Sequence, residues 1–158
     1  MVRPVEVKSR ASVLDHRAVA MKNSKTAEII LVDIYDAWRA HDLDWLASYL
    51  PQDFSHDLNI PIETLAVGGD RVGKEAALER LRQIFDGFDT QYIEPGRITL
   101  DGAVATLEVE TRCKQRSSGN WLHTTKKHVW LLEDGWPVKL SEFYDLEQFD
   151  IFMNASRR

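Results

Sequence analysis

The sequence predicts a single α+β domain in which helices gather on one face of a curved antiparallel sheet. Three observations predict it. Apolar residues recur at three- and four-residue steps through the first half of the chain and at steps of two through the second. The switch falls near Gly87, and turn signals rather than helices separate the stretches after it, so those strands follow one another as a meander. The 158 residues suit one domain, which at this size buries roughly 70% of its unfolded surface without a disulfide or a metal.

Taken in order, residues 1–10 carry no period. Ala11, Leu14, Ala18 and Met21 allow a short leading helix, and residues 1–24 are set apart as a basic arm before a domain at 25–154. Ala27, Ile30, Leu31, Ile34, Ala37, Trp38 and His41 share one face of the first long helix. Asp42 can cap a second helix with Leu43, Leu46, Ala47 and Leu50 inward, and Pro51 stops it. Phe54 to Leu58 alternates as a short strand, and Asn59 to Asp70 reads as loop or short edge strand. A third helix opens near Gly73 and buries Ala77, Leu78, Leu81, Ile84 and Phe85. Four strands follow, Tyr92–Leu100, Ala103–Gln115, Trp121–Leu132 and Val138–Tyr144, with turn signals at Pro95-Gly96, Asp101-Gly102, Ser118-Gly119 and Asp134-Gly135. Asp145 and Gln148 form a capping box for a last short helix carrying Leu146, Phe149, Phe152 and Met153.

Hairpin parity says which side chains share a sheet face. A plain two-residue turn at Asp134-Gly135 sets Leu131 opposite Val138, Val129 opposite Leu140, Lys127 opposite Glu142 and Thr125 opposite Tyr144. This aliphatic set is taken as the inner face, which leaves His128, Trp130 and Phe143 outside. Ala105, Leu107, Val109, Thr111 and Cys113 join the inner face only if the Ser118 loop is odd, for example Ser118-Gly119-Asn120. The inner face then grades from dry to polar, ending in Thr111, Lys127, Glu142 and Tyr144, the composition of a pocket wall.

Ala40-His41-Asp42-Leu43-Asp44-Trp45-Leu46, Tyr49-Leu50-Pro51-Gln52-Asp53-Phe54, Gly73-Lys74-Glu75-Ala76 and Asp134-Gly135 leading to Phe143-Tyr144-Asp145 occur in an order and spacing that resembles one family. It is the nuclear transport factor 2-like superfamily, in its SnoaL-like and ketosteroid isomerase-like branch, and the resemblance covers roughly residues 25–150. It implies a cone-shaped sheet wrapped around three helices, a pocket inside the cone, and commonly a homodimer through the outer sheet face. Isomerisation, polyketide ring closure, dehydration and epoxide hydrolysis are among the activities it implies. The isomerase's own residues do not carry over. Its helix tyrosine falls on Ile34, its general-base aspartate on Leu58, and its protonated aspartate on or near Lys127.

The candidate chemistry follows. Glu142 is a base or acid with Lys127 as electrostatic partner, or the two are a cross-strand ion pair closing the wide end of the cone. His56 shares the inward parity of Phe54 and Leu58 and can move protons near neutral pH, or it is a core-edge histidine satisfied by a carbonyl. Tyr144 orients a substrate oxygen or ends the core. Asp57 alternates outward, Asp145 is a cap, and His123 lies too near a loop to place. Trp38, Ile34, Leu58, Leu107, Val109, Thr111, Val129 and Leu140 are the expected pocket lining.

The expected activity is therefore cofactor-free acid–base chemistry on a small, largely apolar oxygenated molecule. The competing reading is a non-catalytic dimeric binding or assembly module, with His128, Trp130 and Phe143 at the interface. Six basic side chains against Glu6 and Asp15 make residues 1–26 positive, while the net charge of −5 leaves the remainder acidic, which disfavours nucleic acid. The five histidines show no ligand spacing and Cys113 is the only cysteine, so no metal set is expected. No apolar run reaches the length of a membrane span, and a cytoplasmic location is expected.

Overall fold

The computed structural model of the chain describes residues 24–155; the basic arm and the leading helix expected at 11–22 lie outside them. Helix α1, Ser24–Arg39, turns Ala27, Ile30, Leu31, Ile34, Tyr35, Ala37 and Trp38 into the core. It ends where His41 adopts a left-handed backbone (φ 53°) and the Asp42 N–H returns to the Ala37 carbonyl at 2.9 Å. Asp42 then caps α2, Leu43–Ala47, by accepting the Trp45 N–H at 2.9 Å. Strands β1, Ser55–Leu58, and β2, Gly69–Val72, precede α3, Lys74–Gly87. The remainder is β3, Phe88–Pro95; β4, Thr99–Asp101; β5, Val104–Gln115; β6, Trp121–Glu133; β7, Trp136–Phe143; and α4, Leu146–Asn154, capped by Asp145.

The strands form one curved, unclosed sheet in the order β2-β1-β7-β6-β5-β3, with β4 also paired to β5. Helices pack on one side of it, as expected. Two details differ. The stretch expected as one strand from Tyr92 to Leu100 is β3 and β4, broken at Pro95-Gly96, where the Gly96 N–H bonds the Glu108 carbonyl at 2.8 Å. The sheet is also not wholly antiparallel, because β1 runs parallel to β7. No hairpin joins those two strands, so no turn imposes an antiparallel direction.

The main apolar cluster lies between α1, α2, α3 and the inner sheet face and includes Leu31, Ile34, Leu81, Leu107, Trp130 and Leu140. A second cluster, Leu58, Ile60, Phe88, Leu122, Phe149 and Phe152, ties α4 to the sheet. Fully burying side chains of this size contributes about 1.5–3 kcal/mol each.

The inner face needs one correction. Asp134 (φ 55°) and Gly135 (φ 80°) make the expected two-residue turn, and Glu133 faces Trp136. Beyond it, Leu132 faces Pro137 but Leu131 faces Lys139, so Val138 is an extra residue on β7. Pro137 lacks the N–H that a regular ladder needs, and a bulge beside it accommodates the loss. The bulge reverses the parity of β6 relative to β7. Leu122, Thr124, Lys126, His128 and Trp130 are buried, whereas Lys127, Thr125 and Leu131 are exposed and Val129 lies on the outer face with them. The β5–β6 loop is correspondingly even: Lys114 faces Trp121, which leaves Arg116 to Gly119 beyond the Gln115–Asn120 bond. Glu108 and Glu110 stay outside, and Leu107, Val109 and Thr111 stay inside, as expected.

Candidate functional site

Three buried side chains meet Glu142, which is itself 2% exposed. Strand β7 brings it in from one inward position beyond Leu140, and β6 supplies Lys126 and His128 from inward positions of the neighbouring strand. Lys126 Nζ donates to Oε1 at 2.7 Å, and His128 Nε2 reaches the same oxygen at 3.1 Å. From β1, His56 Nε2 reaches Oε2 at 2.5 Å, a contact set by the parallel pairing of β1 with β7. Behind His56, the Arg80 Nη1 of α3 lies 3.3 Å from Nδ1 and donates to the His56 carbonyl at 3.1 Å. Behind His128, Nδ1 lies 2.6 Å from the Tyr35 hydroxyl, whose oxygen accepts the Trp130 indole N–H at 3.0 Å.

Donor chemistry orients the two rings. Arginine and indole nitrogens only donate. Arg80 therefore meets a bare Nδ1 on His56, and Nε2 carries that ring's proton toward Glu142. Trp130 occupies the Tyr35 oxygen as donor, Tyr35 gives its own proton to Nδ1 of His128, and Nε2–H of His128 points at Glu142. Histidine paired with a carboxylate is the material of many metal centres. Here each ring's inner nitrogen is the donor and an ammonium shares the carboxylate, so these residues serve hydrogen bonding to an anion. Among the described residues, no group of three or more His, Cys, Asp or Glu could hold a metal ion.

The electrostatics agree with that wiring. Burial disfavours the Glu142 anion, but Lys126 and the bonds from His128 and His56 outweigh it and hold the carboxyl well below its ordinary range. Burial likewise opposes the Lys126 charge, and Glu142 with Tyr144 reverses that, raising the ammonium above its usual value. Burial pulls His128 down to about 4 against the opposing pull of Glu142, so this ring is neutral at pH 7. Tyr144 is raised, chiefly by burial, and accepts a second Lys126 hydrogen at 3.0 Å.

Lys126, Glu142 and Tyr144 form one wall of a cavity of about 50 Å³, whose remaining lining is largely apolar and includes Trp38, Leu58, Ile60, Phe88, Ile93 and Phe149. Thr111 and Cys113 also reach it. Lys126 Nζ lies 5.5 Å from the Trp38 ring and 5.0 Å from that of Tyr144.

A family model described as a SnoaL-like domain matches residues 31–139, and this span decides the family. The chain belongs to the SnoaL-like family. Solved structures agree on the fold. TerC co-crystallised with polyporic acid aligns over 81% of this chain and 98% of its own at 15% identity, with a TM-score of 0.72. A nuclear transport factor 2-like protein of unknown function from Burkholderia pseudomallei aligns over 80% and 96% at 16% identity, also at 0.72. An LEH-like epoxide hydrolase of M. tuberculosis aligns over 83% and 91% at 14% identity, at 0.65. No curated protein matches.

Within this SnoaL-like chain, Glu142, His56 and Tyr144 lie inside and are linked to one another directly or through Lys126. Lys127 does not: it is exposed on the outer face, and Lys126 takes the position beside Glu142. His128 and Trp130, expected outside, are 0% and 1% exposed and belong to the network. Trp38, Leu58 and Thr111 line the cavity. Ile34 and Leu140 instead border a smaller void of about 10 Å³ shared with His56, and Leu107 and Val109 pack in the core. Tyr35 and Arg80 were not among the expected site residues. Both fall within apolar helical stripes, Tyr35 between Leu31 and Trp38 and Arg80 between Ala77 and Ile84, and a polar residue in such a stripe is the signal that finds them.

Acid should loosen this SnoaL-like domain in two stages. His128 has a folded value below its ordinary 6.5, so its contribution is complete above 6.5 and is lost as pH falls toward 4. That loss reaches about 3 kcal/mol near pH 4. Glu142 is also depressed, so its contribution begins to disappear below 4.5. Urea unfolding across pH 4 to 8 should show stability falling from 6.5 downward and more steeply below 4.5. A flat profile between 4.5 and 6.5 would show that His128 is not buried as a neutral ring.

Proposed function

We propose that the chain is a cofactor-free acid–base enzyme, of isomerase, cyclase, dehydratase or epoxide-hydrolase type, acting on a small, largely apolar molecule that bears an oxygen. The observation that carries this reading is the bonded set Lys126, Glu142 and Tyr144 on the wall of an otherwise apolar cavity. Lys126 spends two hydrogens on Glu142 and Tyr144, which leaves a third, and Tyr144 keeps its own hydroxyl proton for donation. A ligand oxygen between them would take both, and charge developing on it would be stabilised in a water-poor site. Glu142 accepts three bonds and is a weak base at rest. It gains basicity as Lys126 turns toward the ligand, and His56 and His128 keep it aligned. SnoaL-like membership supports the class of chemistry, and the epoxide hydrolase among its structural neighbours is one instance.

A thermal-shift screen of small cyclic ketones, phenols and epoxides tests the reading. A binder at 100 times its dissociation constant adds about 2.7 kcal/mol of stability. Tyr144→Phe should weaken that binder roughly 5- to 30-fold by removing one donor. A binder indifferent to Tyr144→Phe would place the oxygen elsewhere and sink the assignment.

The small size of the cavity favours a second reading, a non-catalytic dimeric binding or assembly module. Its interface would be the outer sheet face, where Leu131 and Phe143 are 41% and 40% exposed, rather than the buried His128 and Trp130. Light scattering on Leu131→Ser/Phe143→Ser should then report monomers. A mutant that keeps the wild-type mass would remove this face from consideration.

A further inference from the structure

Tyr35 touches neither the cavity nor Glu142, yet it controls the ring that does touch Glu142. The His128 ring packs against both Tyr35 and Trp38, with centroids 5.7 Å from each, and is fully buried. The charged and titratable groups facing it are Tyr35 from α1, Lys126 on its own strand, Glu142 from β7 and His56 from β1. Its Nδ1 is the one site at which it could accept a proton, since Nε2–H is committed to Glu142. The Tyr35 hydroxyl occupies that site at 2.6 Å, and the Trp130 indole N–H on the hydroxyl oxygen keeps the Tyr35 proton turned toward Nδ1.

We infer that Tyr35 is a positioning residue: by giving its proton to Nδ1 it fixes the buried, neutral His128 ring as the Nε2–H tautomer that donates to Glu142, and it adds to burial in keeping a second proton off that ring. Were His128 an imidazolium, it would neutralise Glu142 itself, and the Lys126 ammonium would lose the anion that keeps it charged on an apolar wall. Tyr35 thereby acts on the cavity through two intervening side chains. Its functional meaning rests on the acid–base reading above, but its test needs no ligand.

The test is nitrogen NMR of the full chain labelled with ¹⁵N-histidine, titrated from pH 3.5 to 8. In the wild type at pH 7, His128 should be a single neutral tautomer, protonated at Nε2 only, with its midpoint at about 4. An Nδ1–H tautomer or an imidazolium at pH 7 would overturn the inference, and this arm needs no variant to fold. In Tyr35→Phe the ring stack is kept and only the hydroxyl is lost, so the His128 midpoint should rise by about one pH unit or more. An unchanged midpoint in the folded variant would show that Tyr35 only packs. Trp130→Phe, which leaves the Tyr35 hydroxyl in place, should shift the midpoint less than Tyr35→Phe; an equal or larger shift would move the control to Trp130. A blank ligand screen leaves this result standing, and a failed titration leaves the Lys126–Tyr144 donor pair standing.

Discussion

Replacing Glu142 by glutamine should destabilise the fold by about 3–5 kcal/mol at pH 7, the cost of leaving one member of a buried ion pair alone. Lys126 is 6% exposed, and Glu142 is the acidic side chain within bonding distance of its Nζ among the described residues. An amide keeps the shape but offers one acceptor oxygen where Lys126, His56 and His128 now use two, and its NH₂ would face donors. The stranded ammonium can escape only by losing its proton, so its value in the variant falls below that of the unfolded chain. The sign of the pH effect follows. The Glu142→Gln deficit should shrink as pH rises toward 10, because a neutral amine is cheaper to bury. Urea unfolding at pH 7 and pH 9.5 reads both effects. A loss below 1 kcal/mol, or a deficit that grows with pH, would mean that Lys126 is not held by this carboxylate.

Much of the fold was legible in the chain because local signals there agree with the tertiary result. The α1 stripe from Ala27 to Trp38, the stop at Pro51, the Asp42 and Asp145 caps and the Asp134-Gly135 turn each have a short-range cause. The inward positions of β5 and β7 were legible for the same reason, and with them Glu142. What was lost turns on one residue. Val138 bulges out of the ladder, and parity carried across that bulge put Lys127, Val129 and Thr125 on the wrong face, with His128 and Trp130 wrong in the opposite sense. The same parity requires an odd Ser118 loop, whereas the loop is even. A sign was present: Pro137 follows Trp136 in what becomes a central strand between β1 and β6, where proline is tolerated only at a bulge. Periodicity could not help, because Lys126 and Lys127 are the same residue type on opposite faces, and β6 carries aromatic or aliphatic residues on both.

The site itself was half visible. Glu142 and His56 come from strands whose parity a local pattern encodes, and Tyr144 directly follows β7, whereas Arg80 and Tyr35 lie on helices whose register against the sheet no local pattern encodes. The parallel pairing of β1 with β7, which sets His56 beside Glu142, is likewise a long-range choice.

The pair Lys126→Met and Lys127→Met tests most directly whether the buried carboxylate is held by a lysine on the cavity wall. Methionine preserves the length and apolar volume of either side chain, so the difference between the variants reports the charge and the face. Lys126→Met leaves Glu142 with two imidazole donors and no directly bonded cation, and burial then drives its carboxyl upward. Lys127 lies on the exposed face between Glu108 of β5 and Phe143 of β7, where substitutions cost within about 0.5 kcal/mol. Thermal unfolding of the two variants beside the wild type at pH 7 should show Lys127→Met nearly unchanged and Lys126→Met lowered by roughly 10 °C. Equal midpoints, or a larger drop for Lys127→Met, would contradict the inward face of β6 and with it the Lys126–Glu142–Tyr144 site.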